Sequence, residues 1–277
     1  MGTTTNAPTT TSSPDLALKE SLAISHLEGH GVEFGPLNNP LPINPEKASV
    51  VYADRLSKEE ALVLFPELRD IAQNIVEPNL IVDFNDHKAL TGLRQYAFDF
   101  IIANHFIEHL VNPIQFLQGC SMILKDGAKL FLTIPDRDHT FDRNRTLTTQ
   151  KHLWRDYQRG ESTISNAHMR DFLRNKEVVD QPHPEVARYF LENNLPLDYY
   201  NGNKLPLNLF TRKRLYDFHR ERSIHVHVWN RVSFDKFLSW VINRLDLNLR
   251  VLPTHPPEDT VGEMIYLLEK AVPFSEH

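Results

Sequence analysis

The stretch FDFIIANHFIEHLVNPI, Phe98 to Ile114, constrains the fold more than any other part of the chain. Phe98 to Ala103 is an Ile- and Phe-rich apolar run broken only by Asp99. Such a run fits a strand buried on both faces, as in a parallel sheet covered by helices. Two polar residues, Asn104 and His105, end it. A helical segment follows from Asn112-Pro113 to Lys125, with proline at a tolerated first-turn position. Asp126-Gly127 then turns the chain into a second apolar strand, Ala128 to Ile134. A strand–helix–strand unit of this kind has a right-handed crossover. Ligands of such sheets bind beyond the carboxyl ends of the strands, here Asn104, His105 and the segment from Pro135 onward.

The flanking sequence repeats the pattern. Strands are expected at Gly31–Gly35, Ser49–Asp54 and Leu80–Phe84, with a helix over Lys58–Gln73, so the order indicates a doubly wound α/β domain. Residues 1–14, rich in Thr, Ser and Pro, have nothing to bury and read as a disordered tail; residues 15–277 form one domain. Leucines at helical spacing make Asp15–Glu28 a lid or packing helix. Between Arg143 and Ser223 charged residues, Asn and Pro dominate, with helical patches at Thr148–Gln158, Ala167–Lys176 and Pro184–Asn193. This region, about 143–223, reads as a helical insertion capping the strand ends. The basic run Arg212–Arg222 reads as a solvated helix face. Ser233–Asp246 is an amphipathic helix, and Leu247–Leu252 with Met264–Leu268 closes the sheet as an antiparallel pair.

Composition removes several classes of function. A formal net charge of −6 in 277 residues argues against a nucleic-acid binder that relies on a basic surface. The single cysteine, Cys120, excludes an internal disulfide and a cysteine-based zinc cage. No apolar run is long enough to span a bilayer and no signal-peptide core is present, so the expectation is a cytoplasmic protein without membrane attachment.

Chemistry is expected at the strand ends. Gly35 allows backbone to approach a ligand closely. Asp54 follows nineteen residues later, at the end of the second strand, a spacing that suits an acid accepting both hydroxyls of a ribose. Asp83 ends the third strand, facing the other part of a nucleoside. The three-glycine dinucleotide fingerprint is missing. His105-Phe106-Ile107-Glu108-His109 matches H-x-x-E-H, a zinc-peptidase signature that needs both histidines one turn apart on a continuous helix. A buried strand ends directly before His105, so the expectation is no metal, with His109 a structural histidine. His225-x-His227 alternates along an expected strand, as a packing or hydrogen-bonded pair. Tyr200 lies four residues before Lys204, as in some dehydrogenases, but the Asn201-Gly202 turn between them breaks the helix that spacing requires.

Taken together, GVEFGPLNNPL, VYADRLS, VDFND, FDFIIANHFIEHLVNPI, ILKDGAKLFLTIPDRDHTFDRNRTLTTQKHLWRDY and IHVHVWNRVSF resemble a bacterial branch of the class I S-adenosylmethionine-dependent methyltransferases. The resemblance runs in order from Gly31 to about Lys270. It implies a mostly parallel seven-stranded Rossmann-like sheet and S-adenosylmethionine as cofactor. It also implies that Glu33 and Gly35, with Pro36 and Asn38 in a shortened glycine loop, cradle the methionine part. Asp54 would hold the ribose, Asp83 and Phe84 would flank the adenine, and Asn104 and His105 would lie beside the sulfonium. His105, Asp136 and His139, all at strand carboxyl ends, are the candidate bases for a small-molecule or sugar-type acceptor. The alternatives are a methyltransferase-like domain that binds a partner without catalysis, or a zinc hydrolase built on the H-x-x-E-H segment.

Overall fold

The computed structural model describes residues 14–176, 182–200, 205–255 and 259–272. The expected tail, apart from Pro14, and the Asn201–Lys204 turn lie outside the described residues. Seven strands form one sheet: β1 (Gly29–Phe34), β2 (Ala48–Asp54), β3 (Leu80–Ile81), β4 (Phe98–Asn104), β5 (Leu124–Pro135), β6 (Leu249–Leu252) and β7 (Glu263–Lys270). Their order is β3-β2-β1-β4-β5-β7-β6. The first five run parallel, and β7 is antiparallel to both β5 and β6. This is the doubly wound, mostly parallel seven-stranded architecture that the sequence pattern implies.

The apolar run of β4 is buried on both faces because the side chains of a strand alternate. Ile101 and Ala103 point to the face packed by α3 (His87–Gly92), α4 (Pro113–Ile123) and α9 (Arg231–Arg244). Phe100 and Ile102 point to the other face, which α1 (Pro14–His26) covers with Leu22 and Ala23. Phe98 falls on the same side as Ile101 because the β4–β5 register shifts between Phe98 and Phe100. β5 obeys the same rule, with Leu130, Leu132 and Ile134 on the first face and Phe131 on the second.

Several local expectations change. The helix foreseen over Lys58–Gln73 breaks into α2 (Lys58–Leu64) and a 3-10 segment, Pro66–Asn74. Pro66 is the reason, since proline lacks the amide that would continue the helix and restricts the residue before it. The third strand is only two residues long, and Gly127, with φ of 79°, lies inside β5 rather than before it. The segment of His225 and His227 is extended but joins no strand; only Trp229 makes an isolated bridge, to Asp136.

The insertion consists of α5 (Gln150–Arg159), α6 (Asn166–Asn175), α7 (Pro184–Glu192) and α8 (Leu209–Arg222). It has a small core of its own, in which Met169, Leu173, Phe190 and Leu215 are fully buried. The basic face of α8 is not wholly solvated as expected: Arg222 hydrogen-bonds Glu67 and the Leu64 carbonyl, and Arg55 bonds the Glu221 carbonyl. Among the described residues no helix is long and apolar enough to cross a membrane.

A side chain at Gly31 tests how tightly β1 packs against β4. A Cβ there would lie 2.2 Å from the buried Phe100 ring. Gly31→Ala is expected to cost about 1–3 kcal/mol, the usual penalty for overpacking a dense core. The urea midpoint should fall accordingly, and Phe100→Leu in the same background should recover part of the loss. An unchanged midpoint for Gly31→Ala would contradict this packing.

Candidate functional site at the strand carboxyl ends

Parallel pairing brings the ends of β3, β2, β1 and β4 into one row. Gly35, with φ of 65°, donates its amide to Ala53 O at 2.9 Å, which sets it beside Asp54. Asp54 accepts the Arg55 amide at 2.7 Å and is also approached by the amides of Leu56 and Leu37. Burial raises the Asp54 carboxyl above the ordinary range, against the pull of those amides and of Arg55. The acid thus faces the Gly35–Asn38 turn, in which Asn39 N donates to Pro36 O.

Glu33 lies beneath this turn and is fully buried. Both of its oxygens accept the Leu41 amide, at 2.9 and 3.2 Å, which folds the loop back over β1. Burial pushes its carboxyl up to about 8, although the Leu41 amide and Lys19 oppose the shift. Asp83 is exposed and lines a cavity of about 610 Å³ with Asn85, Gln115, Gln118 and Tyr157. Phe84 is a core residue: its ring packs 5.1 Å from Phe34 and 4.8 Å from Phe106.

The second half of the site gathers around His105. Its φ of 48° is left-handed, a strained conformation for a residue without a special reason to adopt it. Its amide is held by Thr133 O at 3.0 Å, and Nε2 donates to Glu263 Oε2 at 2.7 Å. Lys19, almost fully buried on α1, bonds the same Glu263 oxygen at 2.9 Å and Asn104 Oδ1 at 3.3 Å. Burial alone would raise Glu263, but the His105 bond and Lys19 outweigh it and hold the carboxyl below its ordinary range. Asp15, at the start of α1, accepts the amides of Val261 and Gly262 and so fixes the approach to β7.

His105 opens onto a cavity of about 800 Å³ shared with Pro135, His139, Phe141, Arg143 and His225. His139 therefore joins His105, and its Nδ1 lies 3.8 Å from Asp136 Oδ2, while Asp136 itself caps the turn by accepting the Asp138 amide. Sequence reading missed Lys19 and Glu263. They lie far from His105 in the chain, and the signal available was a lone lysine on the apolar face of the first helix.

The H-x-x-E-H segment does not form the continuous helix that zinc-peptidase chemistry needs. Only Ile107–His109 make a single 3-10 turn, and His105 precedes it at positive φ. Glu108 is buried with neither side-chain oxygen hydrogen-bonded, 3.7 Å from His105 Nδ1 and 3.8 Å from His109 Nε2. His109 donates Nδ1–H to Ile224 O at 3.0 Å, and burial pushes its pKa down to about 3.

A family model described as a methyltransferase domain matches residues 30–176. No curated protein matches the sequence. Among solved structures the chain is similar to the CurJ carbon methyltransferase, with 14% identity, a TM-score of 0.44, and coverage of 95% of this chain and 56% of that one. It is also similar to a putative Zn-dependent alcohol dehydrogenase from Rhodobacter sphaeroides, with 14% identity, a TM-score of 0.48, and coverage of 92% and 90%. A third is an S-adenosylmethionine-dependent methyltransferase from Clostridium acetobutylicum, with 9% identity, a TM-score of 0.44, and coverage of 94% and 91%. The chain thus spans little more than half the length of the first of these proteins.

Glu33 gives this region a pH signature. Its folded pKa of about 8 lies above its value in an unfolded chain, so the folded state binds the extra proton in between. The stability it contributes is complete below about pH 4.5 and is lost as the pH rises towards 8. Glu33→Gln retains an acceptor for the Leu41 amide and removes the titration. The variant should gain on the wild type between pH 5 and 8.5, by up to a few kcal/mol at about 1.4 kcal/mol per tenfold change in proton affinity. Parallel urea curves at both pH values for the two proteins would count against a buried, protonated Glu33.

Proposed function

This chain belongs to the methyltransferase-domain family, and we propose that it is an S-adenosylmethionine-dependent methyltransferase whose acceptor is a small-molecule or sugar-type nucleophile. The observation that carries the proposal is the juxtaposition of two features at one sheet edge. A ribose-competent acid, Asp54, sits against the Gly35 turn, and a carboxylate-held histidine, His105, opens onto a cavity of about 800 Å³. That volume is in the range of small-molecule sites.

The donor set fits the cofactor. Asp54 keeps acceptor capacity beyond the amides of Arg55, Leu56 and Leu37, which suits a ribose hydroxyl. The Gly35 turn presents backbone rather than side chain to the methionine part, with Pro36 and Asn38 continuing it. Asp83 offers an exposed carboxylate to the adenosine end, and Asn104 lies between this row and His105. Phe84 supports the adenine region from within the core through its packing on Phe34 and Phe106.

When bound, S-adenosylmethionine supplies an activated methyl sulfonium, so the protein's task is chiefly to align donor and acceptor for in-line transfer. His105 keeps its Nε2–H on Glu263, which leaves Nδ1 as the basic nitrogen. Nδ1 would take the proton of the acceptor oxygen or nitrogen as the methyl group passed to it, with the methyl–sulfur bond breaking and the demethylated thioether leaving, and the Glu263 carboxylate would stabilise the imidazolium. Lys19 keeps Glu263 ionised and fixed for that role. His139, steadied by Asp136, faces the same cavity as an acceptor-orienting group or second base. The loop after β5, with Phe141 and Arg143, and the segment that carries His225 supply the outer wall and with it acceptor selectivity.

Calorimetry with S-adenosylmethionine and with its demethylated product tests the cofactor half. Asp54→Ala is expected to weaken binding by roughly 1.5–3 kcal/mol, the value of hydrogen bonds to a charged group. Unchanged affinity with an intact fold removes Asp54 from the site. His105→Ala is expected to lower turnover about 10²–10⁴-fold with cofactor affinity nearly intact. Full turnover in that variant would exclude His105 as the base.

A further inference from the structure

A second group of ligating side chains lies in the insertion, away from the cavity and unused by the proposed chemistry. His152 and Asp156 are four residues apart on α5 and so share one face of that helix. His168, in the first turn of α6, meets them: its Nε2 is 3.1 Å from His152 Nε2 and 3.7 Å from Asp156 Oδ2. The third side, His152 Nε2 to Asp156 Oδ2, is 3.2 Å.

A triangle with these sides has a point about 2 Å from all three corners, which is the length of zinc–imidazole and zinc–carboxylate bonds. Two independent observations point to an ion. Asp156 Oδ2 is buried with no hydrogen-bond partner, an arrangement that costs free energy unless a cation is present. Nδ1 of His227 is buried and equally unpartnered. The His227 ring lies 5.5 Å from that of His152 and 5.8 Å from that of His168. Its Nε2 donates to Val111 O at 3.1 Å, so Nδ1 carries the free lone pair. A backbone carbonyl holding the far nitrogen of a histidine is the usual support of a metal ligand.

We propose that His152, Asp156 and His168, with His227 as fourth donor, bind one divalent ion of the zinc class that fastens the insertion to the loop after β4. With all four positions supplied by protein the site is structural, and it does not depend on the methyl-transfer reading. To complete the shell the His227 ring must turn towards the other three donors. Three existing contacts yield. The hydrogen bond between His152 Nε2 and His168 Nε2 gives way to the ion. Arg155 lies 2.6 Å from His152 Nδ1 and is half-exposed, so it swings into solvent when that nitrogen becomes a donor. The 3.4 Å approach of the Ser165 amide to His168 Nδ1 is lost in the same way. Burial already lowers the proton affinity of all three imidazoles, to about 4 for His168, which favours the neutral, ligating form. The sequence reading expects no metal anywhere in the chain, weighing the H-x-x-E-H segment and His225-x-His227, and the site proposed here departs from it. This group draws on α5, α6 and a distant extended segment.

Chelator-stripped full-length protein titrated with cobalt(II) tests the site, since tetrahedral cobalt absorbs far more strongly in the visible than octahedral cobalt. One equivalent with the tetrahedral spectrum, displaced by zinc, is expected, together with a zinc-dependent rise in melting temperature. His168→Gln and His227→Gln should each weaken zinc binding by more than the 10–100-fold that losing a ligand-orienting residue costs. His30→Gln, at the exposed start of β1, should leave it unchanged. X-ray absorption of the zinc-loaded wild type, expected to reveal imidazole ligands at about 2.0 Å, decides the matter even if the variants do not fold. No metal uptake, a shell without imidazole, or uptake that survives both substitutions in folded protein overturns the proposal.

Discussion

The outer half of this molecule hangs on one buried guanidinium. Arg145 is 2% exposed, and a cation so placed must have its donors satisfied or it destabilises the fold. It donates to Asp142 Oδ1 and His225 O at 2.8 Å, and to Asp171 Oδ2 at 3.0 and 2.8 Å. Asp142 in turn accepts Nδ1–H of His225 at 2.5 Å; burial alone would raise that acid, but these partners hold it below its ordinary range. Removing one member of such a set costs on the order of 3–5 kcal/mol because the remaining charge stays buried. Three segments distant in sequence are thereby fixed: the loop after β5, α6, and the stretch from Ile224 to Trp229. They carry Phe141 and His225 of the cavity wall, as well as His168 and His227.

A second set of buried charges does the same on the sheet side. Lys19, Glu263 and His105 come from α1, β7 and the end of β4, and Glu263 Oε2 bridges the other two. The strand ends are where a doubly wound sheet can hold charge at all. Its faces are covered by helices, and backbone groups and solvent are within reach only where the strands stop. The left-handed backbone at His105 belongs to the same arrangement. Thr133 holds its amide and Glu263 its ring, so strain at that residue is opposed from two sides.

Glu33 differs from these groups. No cation lies against it closely enough to offset burial, and its partner is a single backbone amide. It ties the loop after Gly35 back to β1 in a largely protonated form. The shape of the Gly35–Asn38 turn is therefore coupled to a titration around pH 8.

Short-range physics made much of this legible from sequence. The alternation and length of the apolar runs fixed strands β1, β2, β4, β5 and β7 and the crossovers between them, because burial of a strand depends on its own side chains. The acid at the end of β2 and the glycine at the end of β1 were legible because strand ends sit at predictable places in a parallel sheet. What local pattern could not determine was any feature depending on which distant segments meet. Pro66 splitting a helix was readable in principle; Lys19 pairing with Glu263, Arg222 leaving the solvated face, and Phe84 turning into the aromatic core were not. The histidines show this limit best. His105-to-His109 looked like a metal motif by spacing, yet His105 stands at positive φ outside a single 3-10 turn, so its two histidines do not share one face of a continuous helix. Another group draws His152, Asp156 and His168 from two helices, with the His227 ring beside them, and only tertiary packing brings these side chains together.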